Sequence, residues 1–438
     1  LQAQACRLAP DVRMNPVLLK PTGEHGCQVV LMGQPRGCTD VHGYHAMKQE
    51  AQAVACQAYD KLAAEHAVML LEGAGSPGEV NLRGKDFVNM PMAAHAGARV
   101  LLVGDIDRGG VYASLAGHCE TFTPAERRLL AGFVINKFRG DASLLAPAHA
   151  WLQQRSGVPV LGVIRHLGRH GLPEEDSLGL SSGWPRRADA VLTIGVIGLP
   201  HLANASDLDP LAVEPDCELR LIHAPEQLAG CRLLIIPGSK AVISDLAWLR
   251  ASGLATAVTE AAQTGVDVFG ICGGMQMLGA VIADPHGLEG RPETVPGLGL
   301  MPWRTQLAVG KTRCLSSVRD ADGRALHGYE IHHGCTDWMQ TTPWLTRVDG
   351  QCLGAGEGTV RGCYLHGLFD NDGFRHELLN RLRRAAGREA LGQRPAYELE
   401  SGLDRLAEAI REAIDMPALY RQLGLAAGGR VRAQELRA

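Results

Sequence analysis

The chain has 438 residues, room for two or three domains at ~150 residues each, and its 46% hydrophobic and 21% charged content is that of an ordinary globular protein. With 43 basic against 47 acidic residues the formal charge is −4, which argues against nucleic acid or an anionic membrane as partner. Apolar stretches such as Ala188 to Pro200 fall short of the ~20 residues of a membrane span, and 12 scattered cysteines without a C-x-x-C pair speak against a zinc ribbon or disulfide framework and suit a reducing cytoplasm.

In chain order, short apolar runs alternate with longer helical segments such as Gln49 to Glu65. Val68–Leu71, Val100–Val103, Gly132–Ile135 and Val158–Ile164 read as buried parallel strands of an α/β layered sheet. Residues 171–187, "GLPEEDSLGLSSGWPRR", have the composition of a linker or surface loop. A second α/β series follows, with strands expected at Ala190–Ile197, Leu219–Ile222, Arg232–Ile236 and Val266–Ile271. Near the end, Leu403, Leu406, Ala407, Ile410, Ala413 and Ile414 recur at helical spacing, which predicts an amphipathic helix packing on its own domain.

In the first series, "MLLEGAGSPGEVNL" puts Glu72 at the end of an expected strand before a Gly-rich turn, where a carboxylate suits Mg²⁺ bridging phosphates. "VLLVGDIDRGG" repeats the arrangement with Asp105 and Asp107. "GFVINKFRGD" ends a strand in Asn136-Lys137, a pair suited to a purine edge. Helix-capping acids and a turn asparagine would look the same.

In the second series, "VFGICGGMQMLG" places Cys272 between a strand and a helix, with glycines at 270, 273 and 274. This is the pattern of a nucleophile elbow carrying cysteine, and backbone N–H groups at the helix start can favour a thiolate and later an oxyanion. A small buried cysteine in a tight turn fits the local motif equally well. A nucleophile needs a base, and among 17 histidines His366 is the best placed, ending the short strand pattern Val360–Leu365 in "RGCYLHGLFDN". The turn Pro237-Gly238-Ser239-Lys240 could complete an oxyanion hole through Gly238, with Gly273 as the other donor.

These features resemble a class I glutamine amidotransferase domain over roughly residues 190–385. That class places Glu two residues after its histidine, whereas this chain has His366-Gly367-Leu368; Glu330, in "GYEIHHG", is a candidate to orient His366 instead. The strings "MNPVLLKP", "EGAGSP", "DIDRGGVYASL", "VINKFRGD", "IPGSK" and "YLHGLFDN" together resemble the cobyric acid synthase family, whose relatives include cobyrinic acid a,c-diamide synthases, cell-wall precursor amidotransferases and, more distantly, dethiobiotin synthetases.

The resemblance implies two parallel-sheet α/β domains. Residues 1–180 would be an incomplete dethiobiotin-synthetase-like P-loop NTPase domain, 188–385 the amidotransferase domain and 386–438 a helical tail. It also implies ATP, Mg²⁺ and glutamine as the ammonia donor, and a corrinoid substrate amidated at its b, d, e and g side chains. No nucleic-acid or membrane partner is implied, and a homo-oligomer is possible. The family opens with a strand and a P-loop, yet G-x-x-x-x-G-K-[ST] does not occur here; Gly310-Lys311-Thr312 has its ending but Thr305 in place of the first glycine. The sequence also begins at Leu1 without Met, and the expectation is a segment upstream that carries the phosphate cradle.

Overall fold

A computed structural model describes residues 1–21, 27–39, 41–167, 172, 184, 187, 189–392 and 397–425. The chain divides into two compact units, Leu1–His170 with Leu399–Ala438, and Gly171–Glu398. The linker-like stretch 171–187 lies almost wholly outside the described residues.

In the first unit, β1 (Val17–Pro21), β2 (Cys27–Leu31) and β3 (Gln34–Thr39) form an antiparallel sheet that the sequence did not announce. Helix α1 (Val41–Glu65) follows, and Ala51 packs with Val29, Leu31 and Phe87 in a small core. The expected parallel sheet is present as β4 (Val100–Asp105), β5 (Leu130–Phe138) and β6 (Val160–Arg165), in that order, connected by α2 (Val111–Thr121) and α3 (Ala146–Ser156). Leu115, Phe133, Ile135 and Leu152 fill its core.

Two expectations for this unit need correction. Residues 68–71 are not a strand: Leu70 is 91% exposed, and an apolar run with no partner strand among the described residues has nothing to hold it extended. The C-terminal helix forms, at Leu399–Ala413, but is not a separate tail. It packs on β6, where Ile414 bridges to Gly162 and Asp415 N donates to Leu161 O at 2.8 Å. Glycine is required there, since a Cβ on Gly162 would lie 2.4 Å from Ala413 O.

The second unit is built on β7 (Leu192–Ile197), β8 (Leu202–Ala203), β9 (Cys217–Ile222), β10 (Leu233–Ile236), β11 (Gly238–Ser239) and β12 (Asp267–Ile271). Then come β13 (Val281–Asp284), β14 (Glu293–Pro296), β15 (Arg304–Asp320), β16 (Ala325–Asp337), β17 (Thr342–Arg347), β18 (Cys352–Glu357) and β19 (Val360–Cys363). Its central strands run parallel in the order β19-β12-β10-β7-β9. All residues of β10 and β12 are buried, as strands covered on both faces must be. The expected sheet is therefore correct at its centre and extended by an antiparallel wing, β15 to β18, that was not foreseen.

Helices α4 (Val242–Ala251), α5 (Leu254–Gln263), α6 (Gly273–Leu278) and α7 (Asp372–Ala385) complete this unit. Helix α7 inserts two buried arginines. Arg375 Nε donates to Glu214 Oε1 at 2.9 Å, and Arg383 holds both oxygens of Asp216 at 2.7 and 2.9 Å. Arg375 and Glu214 are 1% and 3% exposed, so removing Arg375 leaves a buried Glu214 whose remaining cationic neighbours, His376 at 3.4 Å and Arg383 at 3.7 Å, stand farther off. Arg375→Met is expected to cost about 3–5 kcal/mol, read as the shift in urea unfolding; a loss below about 1 kcal/mol would place the pair with surface bridges.

Candidate active site

Parallel pairing aligns Ile271 of β12 with Cys363 of β19, so the residues that follow the two strands emerge side by side. Cys272 N donates to Cys363 O at 2.8 Å, and Gln276 N to Cys272 O at 3.0 Å as α6 begins. Cys272 has φ 51° and ψ −108°, a region that costs an ordinary residue about 1–3 kcal/mol and is retained where the surroundings impose it. The flanking glycines impose it by close approach. A Cβ on Gly274 would lie 1.9 Å from Ile236 O, and one on Gly270 would lie 2.6 Å from the Met275 backbone. The turn is thus the sharp strand-to-helix elbow that the sequence suggested, and Cys272 is 7% exposed.

Beyond β19, His366 exchanges backbone hydrogen bonds with Tyr329 at 2.9 and 3.1 Å and stacks on its ring at 5.1 Å. The imidazole is fully buried. Its Nδ1 lies 2.7 Å from Asp207 Oδ2, while Gly367 N donates to Asp207 Oδ1 at 2.9 Å. Asn204, itself at φ 53°, places its side-chain amide 3.2 Å from the ring nitrogens. Burial opposes a charge on His366, but the Asp207 carboxylate, with a smaller contribution from the Cys272 sulfur, outweighs it and raises the imidazole well above its usual value. An imidazolium near a sulfur favours the thiolate, the reactive form of cysteine.

Glu330 does not orient His366. It accepts from Arg347 Nε at 3.0 Å, is bonded by Ser316, and lies 3.3 Å from His332 Nε2. Alternation along β16 explains the correction: Tyr329, one position earlier, faces His366, so Glu330 points to the opposite side. The acid that contacts His366, Asp207, was missed. Its signal is the turn-forming run Asn204-Ala205-Ser206-Asp207 beyond the carboxyl end of β7, where functional loops of parallel sheets gather.

Gly238 and Gly273 border the same pair. A Cβ on Gly238 would lie 3.5 Å from His366 Cε1, and one on Gly273 would lie 2.8 Å from Ser239 N. Gly273 opens α6, so its N–H precedes the first intrahelical bond and is available to a ligand. Nearby, Gln276 is buried; its Nε2 donates to Tyr364 OH at 3.2 Å and its Oε1 has no hydrogen-bond partner.

In the first unit, Asp105 and Asn136 are paired in register at the carboxyl ends of β4 and β5. Lys137, at φ 61°, donates Nζ to Asp105 at 2.9 Å, and Arg139 bridges Asp107 at 2.6 Å. The hydrogen bond from Lys137 holds the Asp105 carboxyl below its usual range. Asn136 Oδ1 accepts from Lys137 N at 2.9 Å. Glu72 lies on an exposed loop, not at a strand end, and accepts a long 3.5 Å bond from Gln2. Among the described residues no group of three His, Cys, Asp or Glu is arranged to hold a metal ion, and no helix is long and apolar enough to cross a membrane.

Because His366 binds its proton more tightly in the folded than in the unfolded chain, the stability this provides is complete below the ordinary imidazole value of about 6.5. It is lost as pH rises through the higher folded-state value. Asp207→Asn is expected to move the His366 titration, followed by NMR of labelled histidine, to lower pH and to remove that stability at neutral pH; an unchanged titration would contradict the pairing.

Residues 193–374 match the CobB/CobQ-like glutamine amidotransferase domain. Over 98% of the chain the sequence is 46% identical to a cobyric acid synthase of Nitratidesulfovibrio vulgaris, of which it covers 88%. It is 44% identical to that of Desulforudis audaxviator over 97% of this chain and 88% of the relative. A solved glutamine amidotransferase aligns with 44% of this chain and 98% of its own, at 18% identity and a TM-score of 0.34. The elbow, its buried imidazole and the near full-length identity lead to one assignment: the chain belongs to the cobyric acid synthase family and carries that family's glutamine amidotransferase domain.

Proposed function

We propose that this protein performs the ATP- and glutamine-dependent amidation of the b, d, e and g side-chain carboxylates of adenosylcobyrinic acid a,c-diamide, giving adenosylcobyric acid in cobalamin biosynthesis. The observation that carries the ammonia-making half is Cys272 on a strained elbow at the end of β12, beside the β19 end that leads to a buried His366 paired with Asp207 at 2.7 Å. Family membership supports the substrate.

The Cys272 sulfur adds to the γ-carbonyl carbon of glutamine. Backbone N–H groups of Gly238 and Gly273 take the charge that develops on the carbonyl oxygen. The imidazolium of His366 then gives its proton to the departing nitrogen, ammonia leaves, and a γ-glutamyl thioester remains. Neutral His366 next takes a proton from water, whose oxygen attacks the thioester and releases glutamate and the sulfur. Asp207 stabilises the imidazolium whenever it is present. The unpartnered Gln276 Oε1 offers an acceptor to an N–H group of the substrate or product.

The ligase half is read into the first unit. Glu72 with Asp105 or Asp107 would lie near Mg²⁺, while Asn136, backed by the stem of Lys137, would face the purine base. Asp105 and Asp107 are available for this use because their bridges to Lys137 and Arg139 are exposed and such bridges are exchanged for about 0–1 kcal/mol, whereas Glu72, on its exposed loop, is not gathered with them into a three-ligand set among the described residues. Bound MgATP would supply activation of a substrate carboxylate as an acyl phosphate, the electrophile that ammonia attacks. A cytoplasmic setting is consistent with the described cysteines, all of which are free thiols.

Incubation with glutamine should release glutamate, measured by coupled glutamate oxidation. Cys272→Ala and His366→Ala should each reduce the rate at least ~10³-fold, since the two residues act as one unit. Absence of glutamate release by the unaltered protein would refute the glutaminase assignment, and full activity of Cys272→Ala would refute the nucleophile.

A further inference from the structure

Behind the Gly238 turn lies a second buried carboxylate that takes no part in the scheme above. Asp245, on α4, is 0% exposed. Its Oδ2 accepts from Ser239 Oγ at 2.6 Å, and its Oδ1 accepts from His201, through Nδ1 at 2.7 Å and the backbone N at 3.2 Å. Ser239 Oγ in turn accepts from Ala241 N at 3.0 Å, and Lys240 N donates to His201 O at 2.9 Å. One carboxylate therefore ties together the loop after β7, the turn after β10 and the first turns of α4.

What these bonds hold is the backbone of the reaction site. Gly238 and Ser239 form β11, paired with Ala203 and Leu202 of β8. Ser239 packs on Gly273, so closely that a Cβ on Gly273 would lie 2.8 Å from Ser239 N and 3.1 Å from its Cβ. Gly238 faces the His366 ring from the other end of the same ribbon. A shift of Ser239 would therefore displace both Gly238 and Gly273 relative to the sulfur.

We propose that Asp245 is a positioning residue of the oxyanion turn: through Ser239 and His201 it fixes the peptide groups of Gly238 and Gly273 where the carbonyl oxygen of glutamine becomes charged. An ionised carboxylate suits this because it accepts from several donors at once. An amide in its place can accept from His201 with its oxygen but meets Ser239 only as a donor to Oγ, so the charge-assisted bond that the Ser239 hydroxyl donates is lost. The contribution belongs to the transition state, so its loss lowers kcat rather than substrate affinity.

The inference rests on the glutaminase reading, and two measurements separate the two. Alkylation of Cys272 by iodoacetamide displaces iodide from a saturated carbon and forms no oxyanion, so it reports the sulfur and His366 alone. Glutamine hydrolysis needs the turn as well. Asp245→Asn is expected to lower kcat for glutamine about 10- to 100-fold with KM within about twofold, while Cys272 is alkylated at the rate of the unaltered protein. Ser239→Ala, which removes the linking hydroxyl without touching the buried carboxylate's site on α4, should reproduce this split should Asp245→Asn not fold. Where both fold, the double variant should be no slower than Asp245→Asn. A kcat within about twofold of the unaltered protein, or alkylation falling in parallel with kcat, overturns the proposal. Failure of the unaltered protein to hydrolyse glutamine would overturn instead the reading on which it rests.

Discussion

A fully buried imidazole is unfavourable as a cation unless a counter-charge accompanies it into the interior. Asp207 does so for His366 at 2.7 Å, and its other oxygen takes the N–H of Gly367, so one carboxylate fixes both the charge and the position of the ring. Much of the second unit can be read as the support this pair requires. The parallel order β19-β12-β10-β7-β9 brings the ends of three strands to one edge: β12 delivers Cys272, β19 delivers His366, and the loop after β7 delivers Asp207. The elbow stores backbone strain at Cys272, and the close contacts of Gly270 and Gly274 with neighbouring backbone prevent its release.

The sequence revealed this site unevenly, for physical reasons. Cys272 was legible because its turn demands glycine at fixed positions beside it, and His366 because it follows a short apolar strand. Asp207 left only a faint trace: it lies 159 residues from His366 and reaches it through the sheet, a relation that no local pattern records. Proximity in sequence pointed to Glu330 instead, yet alternation along a strand turns that carboxylate toward Arg347.

Fold prediction divided along a similar line. Continuous apolar runs marked the central strands, which are covered on both faces. In β15 the buried positions Thr305, Leu307, Ser316 and Val318 form two short alternations separated by a bulge, so the antiparallel wing shows no such run. The final helix was legible from its apolar stripe, but a stripe says that a face is buried and not what covers it. Gly162, which admits the backbone of Ala413, supplies that information only once the structure is known. The reverse error, a strand expected at residues 68–71, shows that an apolar run is insufficient where no partner strand is present among the described residues.

The central claim is that one cysteine, activated by a buried ion pair, attacks glutamine. It is tested most directly by treating the protein with 6-diazo-5-oxo-norleucine, a glutamine analogue that alkylates the residue attacking its carbonyl region, and mapping the labelled peptide by mass spectrometry. The account predicts label on Cys272, blocked by excess glutamine and strongly slowed in His366→Ala. Label on the exposed Cys6, Cys314 or Cys335 with Cys272 left free, or labelling of Cys272 indifferent to glutamine and to His366, would contradict it.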